Sequence, residues 1–85
     1  MIFSNWRRLT ENEVRMAKQV FADSIDFNRI KIYRGIPFLP NPNTAIAPNG
    51  NIYFPRKHCP DDFTQAGIAY KIWLIHELTH VWQHQ

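Results

Sequence analysis

Close to the end of the sequence stand His76-Glu77-Leu78-Thr79-His80. Residues four apart lie one above the other on an α-helix, so two imidazoles at this spacing can hold one ion between them. Glu77 is rotated by about 100° from His76 on the same helix. It therefore stands off the ligand row while still able to reach a water on the metal. Zinc at such a site lowers the pKa of its bound water, and a glutamate there takes the proton during attack on a carbonyl. The spacing predicts one zinc ion on His76 and His80, with Glu77 as general base of a hydrolase. The competing reading has the three groups hydrogen-bonded inside a core, which is costly on an otherwise apolar helix without a metal or strong partners.

A catalytic zinc ordinarily has three protein ligands and one open position, and only two are assigned. His84 continues the four-residue spacing, but in a straight helix it lies about 12 Å along the axis from His76. No glycine in Val81-Trp82-Gln83 turns the chain back, so His84 reads as a terminal, partly exposed histidine. His58, Cys59, Asp61 and Asp62 precede the helix and have residue types that zinc accepts. Each also has an ordinary structural use, the aspartates as helix caps and the lone cysteine as buried filler. A ligand from a second chain is a further option, so the third ligand stays unassigned.

The elements that must position this helix can be read along the chain. Thr10-Glu11-Asn12-Glu13 is a capping box, and Leu9 and Val14 occupy the positions of a hydrophobic staple. They predict a helix from about Thr10 to Asp23, with Val14, Ala17, Phe21 and Ile25 as its apolar stripe. Ile30-Lys31-Ile32-Tyr33 alternates and reads as a strand. Pro37, Pro40 and Pro42 make the next stretch a loop, in which Phe38 and Leu39 are expected to pack. Thr44–Ala47 and Asn51–Phe54 flank Pro48-Asn49-Gly50, and Asn-Gly between apolar segments predicts a hairpin. Pro60-Asp61-Asp62 opens the last helix, which runs from Phe63 or Gly67 to the chain end. Apolar on most sides, that helix is expected to be central and buried. The order helix, strand, hairpin, helix predicts an α+β fold in which helices pack on a small antiparallel sheet. The second hairpin strand, Asn51–Phe54, is expected to offer an edge beside the metal for a peptide substrate.

Eighty-five residues make one small domain, 45% hydrophobic and 14% aromatic, with enough large rings for a compact core. A single cysteine excludes an internal disulfide. The net charge is +3, but its basic residues are scattered in runs of no more than two, which argues against a nucleic-acid partner. The start lacks the pattern of a signal peptide, and no apolar run spans a membrane. The expectation is a cytoplasmic protein, with export by a specialised machine left open.

Two stretches carry a family resemblance: Gly50-Asn51-Ile52-Tyr53-Phe54, and Leu74-Ile75-His76-Glu77-Leu78-Thr79-His80-Val81-Trp82-Gln83. They resemble the small bacterial Vgr-related proteins and the broader DUF4157 group of metallopeptidases, found beside Rhs and other toxin-delivery systems. The segment from Leu9 to Ile32, with Val20-Phe21-Ala22-Asp23-Ser24-Ile25-Asp26, is similar to the Vgr-related proteins as well. The resemblance implies a minimal zincin-like core over residues 1–85, or the N-terminal part of a longer zincin. It also implies metal at His76 and His80 and a base at Glu77. A zinc-dependent metallopeptidase acting on a peptide or protein is thus the first functional expectation. A catalytically inactive zincin-like interaction module of a type VI or Rhs secretion system is the second. Partners would be a homo-oligomer or a secretion or toxin protein.

Overall fold

The computed structural model describes residues 5–37 and 44–85. Five elements build it: β1 (Trp6–Arg7), α1 (Glu11–Phe21), β2 (Ile32–Arg34), β3 (Ile52–Phe54) and α2 (Ile68–His84). Short 3-10 turns at Phe27–Arg29, Pro48–Gly50, Arg56–His58 and Phe63–Gln65 join them.

α1 starts where its capping box places it. Thr10 Oγ1 accepts from the Glu13 N–H at 3.1 Å, and Glu13 Oε1 accepts from the Thr10 N–H at 2.9 Å. Ala17 is fully buried, while Leu9, Val14 and Phe21 pack half-buried against the same core. The helix ends two residues sooner than predicted, because Ala22 turns to φ 51° and its N–H closes on the Lys18 carbonyl.

The fold is α+β, as expected, but its sheet is mixed. β1 pairs antiparallel with β2, and β2 pairs parallel with β3. A parallel neighbour needs a connection that carries the chain back to its starting end, which a tight hairpin cannot provide. β1 was not foreseen, since two residues are too few to show an alternation. The expected hairpin survives as one antiparallel bridge, Ile46 to Tyr53, with both backbone hydrogen bonds made at 3.0 and 2.8 Å. Its turn has the predicted chemistry: Asn49 and Gly50 take φ of 55° and 80°. Phe38 and Leu39 lie outside the described residues.

Ile32, Ile52 and Phe54 point to one side of the sheet and are fully buried with Ile30, Phe63, Leu74, Leu78 and Val81. On the other side, one register row carries Trp6, Tyr33 and Tyr53. The two tyrosine rings stack at 4.2 Å with planes 8° apart.

α2 rests on β3 and on the Pro48–Gly50 turn, and it is not buried all round. Leu74, Glu77, Leu78 and Val81 are buried, whereas Ile68, Ile72 and Trp82 are 69%, 63% and 47% exposed. The sheet and turns cover only one side of the helix, so apolarity around the wheel overstated its burial. Its start also differs from the prediction. Asp62 caps the Phe63–Gln65 turn through the Thr64 N–H at 2.9 Å, and α2 proper begins after Gly67 at φ 110° without a side-chain cap.

Glu13 locks these parts together. It is fully buried and takes two hydrogen bonds from the Arg7 guanidinium, at 2.8 and 2.9 Å. Its Oε2 also accepts from the Phe63 N–H at 2.7 Å, and Arg7 donates onward to the Pro60 carbonyl at 3.0 Å. Burial lowers the pKa of Arg7, but the hydrogen bond and charge of Glu13 more than offset it, leaving the guanidinium above its ordinary value. One carboxylate therefore joins β1, the start of α1 and the turn that delivers α2.

Candidate functional site

α2 presents His76, Glu77 and His80 to a cleft of about 520 Å³ whose opposite wall is the segment Thr44–Ala47. The helical register brings the two imidazoles together, with ring centroids 5.0 Å apart and planes at 83°. The His76 side chain is 64% exposed, and Glu77 beside it is 6% exposed. Glu77 Oε2 lies 3.9 Å from His76 Nε2. The carboxyl thus sits at the floor of the cleft while the histidines stand at its mouth. Burial pushes the Glu77 carboxyl above the ordinary carboxylate range, and the charges of His76 and His80 hold part of that rise back. A buried carboxyl whose pKa is raised is a candidate for proton exchange in the cleft.

Two exposed imidazoles on one helix face suit a borderline-soft divalent ion. The donor set among the described residues stops there, for no group of three His, Cys, Asp or Glu side chains could hold a metal together. Three of the third-ligand candidates, His58, Cys59 and Asp62, are engaged elsewhere. His58 Nδ1 pairs with the Tyr70 hydroxyl at 3.1 Å. Cys59 faces the Tyr33 carbonyl at 3.9 Å, and burial pushes its thiol up although Arg7 and Arg34 pull it down. Asp62 accepts from Thr64 and Asn12. The Asp61 charge acts on Arg7 and Cys59. His84 is exposed, as its position suggested, and its ring lies over Gly50, where an added Cβ would come within 3.1 Å of Cδ2.

The wall of the cleft differs from expectation. β3 does not face the cleft, because Ile46 covers its outer edge at Tyr53. Thr44–Ala47 forms the edge instead. Since Ile46 uses both its N–H and its C=O on Tyr53, the alternation of an extended chain turns the backbone groups of its neighbours away from β3. The local pattern of this segment predicts only the first strand of a hairpin.

Among the described residues no helix is long and apolar enough to cross a membrane. No protein-family model matches the chain. Over 82 residues it is 39% identical to the type VI secretion system spike protein VgrG2b of Pseudomonas aeruginosa, a match covering 93% of this chain and 8% of that protein. Among solved structures, the effector domain of P. aeruginosa VgrG2b superposes with a TM-score of 0.83 at 37% identity, covering 92% of this chain and 45% of that one. The chain thus spans less than half of the domain and a small part of the spike protein that it matches. Over nearly its whole length it is similar, in sequence and in fold, to the effector domain of a Vgr-type spike protein.

Proposed function

We propose that this protein is an effector module of a type VI secretion system and that its chemistry is zinc-dependent peptide hydrolysis. The first part is supported by the likeness to a spike effector domain over 92% of the chain. The second part is carried by one observation: a buried, pKa-raised Glu77 between two exposed imidazoles in an open cleft. His76 and His80 hold the ion, and a third donor comes from outside the described residues. Bound there, zinc would acidify a water and polarise a carbonyl. Glu77 receives the proton on its carboxylate and returns it to the leaving amine. The substrate, an extended peptide, lies along Thr44–Ala47 and pairs with the backbone groups that β3 leaves unused. These features support a minimal zincin-like core.

A second reading is an interaction module of the same secretion system without catalysis, favoured by the missing third donor among the described residues. Metal analysis of the purified protein, followed by assay on a broad peptide pool with Glu77→Gln, separates the two. Hydrolysis requires about one zinc per chain, loss of that zinc in His76→Ala/His80→Ala, and a fall in turnover of about a hundredfold or more in Glu77→Gln. Equal cleavage by wild type and Glu77→Gln refutes the general-base role. Zinc-free protein that chelators do not destabilise refutes the metal site.

A further inference from the structure

The outer row of the sheet continues across the bridge onto Ile46. Trp6, Tyr33, Tyr53 and Ile46 are opposed in register from strand to strand, and directly opposed residues show their side chains on the same face. The first three are aromatic, and Tyr33 and Tyr53 stack at 4.2 Å. Ile46 ends the row and is 37% exposed, whereas its neighbour Ala45 is 8% exposed and Ala47 packs half-buried against the core. The alternation of the segment therefore turns Ile46 outward and both alanines inward.

The backbone fixes what an added strand meets here. Ile46 uses its N–H and its C=O on Tyr53, at 3.0 and 2.8 Å. An antiparallel peptide beside Thr44–Ala47 therefore bonds to Ala45 and Ala47, and it meets Ile46 in a non-hydrogen-bonded pair. That is the closer kind of pair, with Cα atoms about 4.5 Å apart. The peptide side chain at this one position lands on the outer face, against Ile46 and in line with Tyr53. The side chains before and after it turn to the opposite face, which Ala45 and Ala47 share with the core. An exposed isoleucine is thus offered to one peptide position, and β-branched residues pair favourably with aromatic and β-branched partners across strands.

We propose that Ile46 is a specificity-determining residue, selecting a large apolar side chain, aromatic or β-branched, at the single peptide position directly opposite it. The inference deepens the proposed function. It rests on the pairing of a peptide along Thr44–Ala47, but not on zinc or on hydrolysis.

The test uses two labelled, threonine-rich peptides of about eight residues, identical except for one guest residue, Phe or Glu. Their anisotropy is followed on titration with the full chain carrying Glu77→Gln, so that the peptides stay intact. The Phe guest should bind about threefold more tightly than the Glu guest, and adding Ile46→Lys should reverse that order. Ile46→Lys should melt close to its parent, because the side chain is exposed and the bridge to Tyr53 is made by the backbone. If it does not fold, Ile46→Thr serves instead and should bring the two affinities together. A Phe-to-Glu ratio that neither variant changes overturns the proposal, as does an equal weakening of both peptides, which a merely structural role would give. Absence of saturation at about 500 μM overturns it too. Mapping of cleavage sites in a broad peptide pool separates this proposal from the hydrolase reading. Cleavage with no apolar preference at any position overturns the role of Ile46 while hydrolysis stands. Selective binding without cleavage supports Ile46 while hydrolysis falls.

Discussion

Removing the Glu13 carboxylate should cost this fold a large part of its stability. Glu13 is fully buried and serves four donors: two from Arg7 and the N–H groups of Thr10 and Phe63. In Glu13→Ala the Arg7 guanidinium loses its partner, and breaking one side of a buried ion pair costs about 3–5 kcal/mol. The Phe63 N–H is orphaned as well, at about 1–3 kcal/mol, although water entering the vacated space offsets part of both losses. A net loss of about 4 kcal/mol follows. An 85-residue domain has a total of about 4–13 kcal/mol, so Glu13→Ala should be severely destabilised or unfolded at 25 °C. Glu13→Gln keeps an acceptor for Phe63 and should lose only about 2 kcal/mol. Urea titration followed by circular dichroism measures both variants. If Glu13→Ala loses less than about 1 kcal/mol with an unchanged m-value, the carboxylate is not the joint described above.

Further outcomes follow from other residues. Burial alone would raise the Asp62 pKa, but hydrogen bonds from Thr64 and Asn12 outweigh it and hold the carboxyl below its ordinary value. The ionised cap therefore contributes above the unfolded pKa of about 4 and is lost as pH falls through the lower folded value. Asp62→Ala should cost about 1 kcal/mol at pH 7, and melts at decreasing pH should show that difference closing below pH ~4. Gly50→Ala forces a side chain onto φ 80° and against His84, a cost of about 1–2 kcal/mol. Adding His84→Ala should relieve the contact and leave the backbone strain, which a double-mutant cycle reads out. The half-buried Cys59 thiol, with its pKa raised by burial, should react with iodoacetamide more slowly than in the urea-unfolded chain. Equal alkylation rates would show that the thiol is freely exposed.

The parts legible in the sequence are those governed by neighbours along the chain. The Thr10–Glu13 capping box, the positive φ of Asn49-Gly50 and the four-residue spacing of His76 and His80 each depend on a few adjacent residues. Where distant segments meet, the sequence was less informative. The parallel pairing of β2 and β3 joins residues far apart in the chain, and no local pattern records it. Glu13 was readable as a cap, yet its bonds to Arg7 and Phe63 depend on tertiary packing. Apolarity around α2 pointed to burial, whereas Ile68 and Ile72 face outward because the small sheet cannot wrap a helix of that length. At the site, the residues on one helix were legible. The wall opposite was not, since it depends on a single bridge between Ile46 and Tyr53.

The stacked pair Tyr33 and Tyr53 gives the sheet an optical signature. Two parallel phenol rings 4.2 Å apart have electronic transitions close enough to couple, and that coupling is a near-ultraviolet circular dichroism signal held by this pair. The rings come from directly opposed residues of β2 and β3. A slip of one residue would set Tyr33 opposite Ile52 or Phe54 and extinguish the signal, because every side chain then changes faces. Its appearance during refolding would therefore time the moment at which the parallel strands find their register. Tyr53→Phe would dim it without removing a core side chain, leaving the backbone signal of the helices as an independent clock.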